Sequence, residues 1–106
     1  MQTVAAPLPD LAKGPVPDLV LYARPGCGLC DEARTAIDLL LADRRSRGLV
    51  VPALQERNID ADPDLQQRLF DRVPVVELGG RRLELAMSVP RLRRLLADVL
   101  DPTPVA

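Results

Sequence analysis

The 106-residue sequence predicts a single α/β domain, and three observations carry that prediction. A continuous apolar run of strand length, Asp18-Leu19-Val20-Leu21-Tyr22-Ala23, leads into a stretch whose apolar residues recur at helical spacing. The pair Gly79-Gly80 joins two short strand-like runs as a tight hairpin connection. A further amphipathic stretch, 89–100, closes the ordered part of the chain. The resulting order is βαβ, a helix, ββ and a terminal helix.

Each element has a local cause. Residues 1–17 carry Pro7, Pro9, Pro15 and Pro17 with Gly14, and each proline removes a backbone donor, so this segment reads as a proline-rich arm ahead of a domain over 18–100. The run 18–23 is apolar without alternation, as a central strand covered on both faces requires, and Arg24-Pro25-Gly26 stops it. From Gly28 to about Arg45, Leu29, Ala33, Ala36, Ile37, Leu40 and Leu41 form one helical stripe, with Asp31, Glu32, Arg34, Asp38 and Asp43 on the remaining circumference. Pro52 and imperfect alternation leave a short edge strand near Ala53 to Asn58, completing a crossover expected to be right-handed. Asp62 followed by Pro63 starts a helix whose inward side is Leu65, Leu69 and Phe70. The run Val73 to Leu78 reads as a strand entered through Pro74, and Arg81 to Glu84 as its hairpin partner. Ser88 and Pro90 start the last helix, striped by Val89, Leu92, Leu95, Leu96, Val99 and Leu100 until Asp101-Pro102 ends it, leaving 101–106 as a tail.

Composition excludes several function classes. The formal charge of −1 supplies no field for a polyanion, and one Tyr with one Phe offers few stacking platforms, so nucleic acid is not an expected partner. No apolar run approaches the roughly 20 residues that cross a bilayer, so no membrane association is expected. The opening Met1-Gln2-Thr3 lacks the basic and apolar regions of a signal peptide, and two close cysteines do not make a multi-bridge secreted scaffold. The expectation is a cytoplasmic monomer. With no His in the chain, a Ser-His-Asp triad is excluded, and Asp60, Asp62 and Asp64 do not follow a calcium-loop pattern.

The chemistry concentrates in Arg24-Pro25-Gly26-Cys27-Gly28-Leu29-Cys30, which holds the only two cysteines at a strand-to-helix junction. This Cys-x-x-Cys in its setting, with Val73-Pro74 and the closing hairpin and helix, resembles the glutaredoxin-like branch of the thioredoxin-like superfamily over roughly residues 18–100. The resemblance implies a three-layer α/β/α fold on a four-stranded mixed sheet in order 2-1-3-4, with strand 3 antiparallel to strand 1. It implies that Cys27 attacks and Cys30 resolves, and that Pro74 follows a cis bond and faces the cysteines. It departs from glutathione-using members in two places: Gly28-Leu29 replaces a pair with an aromatic residue, and Glu84-Leu85-Ala86-Met87-Ser88 replaces a Gly-Gly-Asp-like turn.

The physical reading of the same residues agrees in direction. Free amides at a helix entrance favour a thiolate at Cys27, and Cys30, one turn deeper, is placed to attack the mixed disulfide. Arg24 is the nearest cation, able to stabilise that thiolate or draw a substrate carboxylate, while Asp31 and Glu32 oppose a strongly negative partner. Gly28, Leu29, Val73 and Pro74 complete the expected substrate contacts; Gly26 and Gly28 serve either access to sulfur or the turn itself.

The expected activity is therefore thiol–disulfide exchange with a protein or low-molecular-weight thiol. No permanently bound cofactor and no metal are expected; glutathione is a candidate co-substrate, and glutathione or a thioredoxin-type protein a candidate reductant. Two alternatives stand beside it: a non-catalytic thioredoxin-like binding or scaffold protein, and a dimer sharing four thiolates around zinc or an iron–sulfur cluster. The Arg91, Arg93 and Arg94 cluster and Arg81-Arg82 are explained most simply as solvated surface.

Overall fold

The apolar run after Asp18 becomes the inside of a sheet. A computed structural model describes residues 15–102, so most of the expected proline-rich arm, residues 1–14, and the tail residues 103–106 lie outside the described residues. Strand β1, Leu19–Ala23, pairs in parallel with β2, Leu54–Asn58, and antiparallel with β3, Val75–Leu78, which pairs antiparallel with β4, Arg81–Glu84. The order is β2-β1-β3-β4, the 2-1-3-4 arrangement expected, in a thioredoxin-like α/β/α fold. Burial follows position. Leu19, Leu21, Tyr22 and Ala23 of β1 are buried, whereas Gln55 to Asn58 of the edge strand β2 are exposed and polar, which discourages further strand pairing.

Helix α1, Gly28–Ser46, buries Cys30, Ala33, Ala36, Ile37, Leu40, Leu41 and Arg44. The expected stripe holds except at Leu29, which is 45% exposed. Leu29 is in phase with the buried face, but in the first turn the surface beneath it is a groove and not the core; helical phase sets a direction, not what lies there. Arg44 falls on the buried face at the other end of the helix. Its guanidinium pairs with Asp101, with Nη1 3.3 Å from Oδ2, and Nε donates to the Val50 carbonyl at 2.6 Å, so the buried charge is neutralised and hydrogen-bonded. Its phase, four residues after Leu40 and three after Leu41, sets it apart from the exposed Arg45 and Arg47, but nothing local signals the acid that pairs with it.

A short 3₁₀ turn, Ile59–Ala61, precedes helix α2, Pro63–Leu69. Asn58 starts the turn by accepting from the Asp60 amide at 2.9 Å, and Asp62 caps α2 by accepting from Asp64 and Leu65 at 3.0 and 3.3 Å. The expected inward side holds for Leu69 and partly for Leu65 but not for Phe70, which is 53% exposed. Leu65 and Leu69 share a face at i and i+4; the next residue turns about 100° away from it, and the helix has ended.

Strand β3 begins at Val75, two residues later than expected. Val73 and Pro74 form its run-in, joined by a cis peptide bond as the resemblance implies. The hairpin turn is as expected: Gly79 and Gly80 have φ of 57° and 82°, a conformation that glycine adopts without a Cβ clash. Helix α3, Val89–Leu100, is capped by Ser88, whose Oγ accepts from the Arg91 amide at 3.3 Å, and buries Leu92, Leu95, Leu96 and Leu100. Val89 and Val99 depart from the expected stripe, Val89 being 37% exposed in the first turn and Val99 half-buried beside Gly79.

Candidate active site

Parallel pairing of β1 with β2 sends the chain off the end of β1 into the turn Arg24 to Gly26 and then into α1, so whatever occupies residue 27 sits at the helix N-terminus. Gly26 has φ of 72°, a left-handed conformation that the turn needs and that glycine adopts freely. Gly28 is the first residue of the helix, and a Cβ there would meet nothing within 4 Å.

Cys27 and Cys30 form a disulfide, with their Cα atoms 5.2 Å apart. Their environments differ sharply. Cys27 is half-buried and opens onto a groove of about 380 Å³; Cys30 is 0% exposed within the hydrophobic core. Cys27 is also the N-cap of α1: its sulfur accepts from the Cys30 amide at 3.1 Å, occupying one of the donors that the first helical turn leaves free. A sulfur held by an amide at the positive end of a nineteen-residue helix is in surroundings that favour negative charge.

Arg24 lines the same groove, with its Nε 3.9 Å from Oδ1 of Asp60. Sequence reasoning placed Arg24 near Cys27 and missed Asp60, which β2 and the 3₁₀ turn bring back beside β1 from 36 positions later. Asp31 is likewise not an isolated negative charge: Arg34 Nη1 lies 2.7 Å from its carboxylate and Arg34 Nε donates to Glu56 at 2.9 Å. The Arg34 hydrogen bonds to Glu56 hold its carboxyl below the usual carboxylate range. The i,i+3 spacing of Asp31 and Arg34 was the available signal for the first contact; nothing in the sequence signals the second.

Of the expected substrate contacts, Arg24, Leu29 and Val73 meet Cys27 around the groove. Gly28 is exposed at the helix entrance, and Pro74 is fully buried with its carbonyl accepting from Ala86 at 2.8 Å. Sequence reasoning did not foresee the opposite wall, built from Phe70, Asp71 and Leu85. Leu85 is 49% exposed and has φ of 48°, a conformation that costs a residue with a Cβ about 1–2 kcal/mol, and its amide donates to the Arg72 carbonyl at 3.0 Å. Three exposed apolar side chains, Leu29, Phe70 and Leu85, thus rim an accessible sulfur. Among the described residues no group of three or more His, Cys, Asp and Glu side chains is arranged to hold a metal ion, and no helix is long and apolar enough to cross a membrane.

A redox-capable cysteine pair at the N-terminus of the first helix, on a sheet of this order, defines a thioredoxin-like protein. Residues 18–97 match the model of the glutaredoxin-like domain (DUF836), and the chain belongs to that family. No curated protein matches the chain. Among solved structures, the X-ray structure of target protein XcR50 from X. campestris is 34% identical, with a TM-score of 0.62 over 76% of this chain and 96% of that one. The solution structure of XcR50 is 33% identical, with a TM-score of 0.61 over 84% and 99%. The germline-specific thioredoxin Deadhead from Drosophila melanogaster, 19% identical with a TM-score of 0.56 over 88% and 90%, shares the fold. Family and disulfide together support oxidoreductase activity of the thiol–disulfide kind.

Proposed function

We propose that the protein exchanges disulfides with protein substrates, Cys27 attacking and Cys30 resolving. The observation that carries this reading is the asymmetry of the pair: an accessible sulfur at a helix N-terminus bonded to one that solvent does not reach. In the reduced protein the Cys27 thiolate attacks one sulfur of the partner's disulfide. A Cys27–partner bond forms, and the other partner sulfur leaves as a thiolate that takes a proton from water. Cys30 then loses its proton and attacks the Cys27 sulfur, closing the intramolecular bond and expelling the second partner sulfur. Two electrons have passed to the partner, and two thiols of a reductant, glutathione or a thioredoxin-type protein, return them by the reverse sequence.

Arg24 supports the thiolate from the groove side, in a role shared with its contact to Asp60. The apolar rim of Leu29, Phe70 and Leu85, with Val73 at its base, favours a folded or peptide partner with apolar residues beside its disulfide. Glutathione carries two carboxylates and would meet one arginine and the Asp71 carboxylate in the same groove, so it fits better as reductant than as the recognised substrate. A soluble monomer working in a reducing cytosol accords with this cycle.

The test is a redox titration against defined glutathione ratios, with thiol-specific mass labelling of each cysteine. A reversible intramolecular bond is expected, with Cys30→Ser trapping a mixed disulfide at Cys27 and Cys27→Ser trapping none. Absence of bond formation, together with no preferential labelling of Cys27 in the folded protein, would sink the oxidoreductase and leave a binding protein on the same fold.

A further inference from the structure

The two arginine clusters that the sequence leaves as separate solvated patches meet in three dimensions. Arg81 and Arg82 of β4 and Arg91 and Arg94 of α3 line one groove of about 410 Å³, floored by Leu83 and Leu95, and no carboxylate lines it. Arg81 reaches Asp98 at 3.2 Å and Arg82 reaches Glu77 with Nε at 2.9 Å, so these two are held in place by acids outside the groove. Arg91 and Arg94 have no ion-pair partner among the described residues. Two of these guanidinium groups are paired with acids and two are not, so on a chain of formal charge −1 the groove carries a local excess of positive charge.

We propose that this groove binds an acidic, extended segment of a protein partner. Guanidinium groups match carboxylates in planar, two-pronged geometry, and Arg91 and Arg94 stand one helical turn apart on the same wall. Alternate side chains of an extended peptide repeat about every 6.6 Å on one face, within the reach of those long side chains. The opposite wall is β4, which among the described residues pairs only with β3 and stands at the sheet edge. An extended peptide can pair strand to strand with the free backbone N–H and C=O groups of such an edge; a nucleic acid has no matching ladder. Neither Tyr22 nor Phe70 lines the groove, so it offers no aromatic platform for bases. The proposal is independent of the cysteine chemistry, and binding is expected in both redox states.

The experiment measures fluorescence anisotropy of a labelled peptide of about eight residues alternating Glu with Thr, titrated with the full chain, beside a Gln-for-Glu peptide. Saturable binding of the Glu peptide is expected, weakening as salt rises, with the Gln peptide at least tenfold weaker. Arg91→Glu with Arg94→Glu should weaken binding at least tenfold. Arg93→Glu, on the same helix but lining a different depression with Arg44 and Asp101, should change it less than threefold. Circular dichroism of each variant establishes that the exposed substitutions leave the fold intact. No saturable binding up to about 1 mM overturns the proposal. Equal weakening by Arg93→Glu, or tighter binding of inorganic phosphate or of a single-stranded oligonucleotide, overturns it as well.

Discussion

Replacing Asp101 by Asn removes a charge while keeping the shape of the side chain, and it leaves the Arg44 guanidinium with two neutral acceptors, the amide oxygen and the Val50 carbonyl, and no counter-charge. The Arg44 side chain is 7% exposed, so water replaces the lost carboxylate poorly; Asp101 is 27% exposed, so some water enters from that side. Breaking one partner of a buried pair typically costs about 3–5 kcal/mol, and the partial access at Asp101 places this case lower, at about 2 kcal/mol. For a domain of this size each kcal/mol moves the midpoint of thermal unfolding by about 4–8 °C, so Asp101→Asn should lower Tm by roughly 8–16 °C. The double variant Arg44→Met with Asp101→Asn removes the stranded charge and fills most of its volume with apolar groups, so it should be more stable than Asp101→Asn alone by about 1 kcal/mol. Chemical denaturation of the four proteins in the cycle, with equal denaturant slopes as the check on two-state behaviour, measures both values. A loss below about 0.5 kcal/mol for Asp101→Asn, or additive effects in the double variant, would refute the claim that this pair holds a buried charge.

Three other outcomes follow from the described geometry. Gly79→Ala should destabilise the fold more than Gly80→Ala, because both have positive φ but only a Cβ at 79 meets an atom, the Val99 Cγ1 at 2.8 Å; equal losses in urea denaturation would show that the contact is relieved without cost. Because the Arg34 hydrogen bond lowers the folded-state value of Glu56, its contribution is present above the ordinary 4.5 and is lost as pH falls through the lowered value. The stability difference between wild type and Glu56→Gln should therefore shrink on acidification, and a pH-independent difference would rule out the ion pair as its source. Burial, followed by the hydrogen bond to Glu77 at 2.9 Å, raises the only tyrosine, Tyr22, above 10.0, so its stabilising contribution is present below pH 10.0 and lost as pH rises through the folded value. An absorbance titration should find a midpoint above 10.0, and one at or below it would mean that the phenol is solvated.

The elements whose cause is local were the most legible in the sequence. Asp62-Pro63, Ser88 and Gly79-Gly80 act through their own backbone neighbours, and each stands where expected. The cysteine pair was legible for the same reason, since a helix entrance is a local event. What escaped was set by residues distant in the chain. Leu29 in the first turn of α1 and Phe70 just past the end of α2 are apolar, yet both are exposed because the layer that would cover them ends at the groove. Leu85 becomes a wall only because the Arg72 and Pro74 carbonyls hold the amides of residues 85 and 86, and Arg44 is buried only because Asp101 arrives from 57 residues away. Periodicity reports the direction of a side chain; whether another part of the protein waits there is a question of tertiary structure.

The amide that steadies the Cys27 sulfur belongs to the main chain of residue 30, not to the thiol of that residue. Any amino acid except proline at position 30 brings the same N–H, so in the proposed cycle the resolving function can be deleted by one codon change without detuning the attacking one. Loss of Cys30 would then convert a two-cysteine exchanger into one that stops at the mixed disulfide and waits for an external thiol. Proline at position 30, or an ester in place of that amide, would separate the sulfur from its support. The architecture thereby makes a switch between two-cysteine and one-cysteine chemistry a single inherited step.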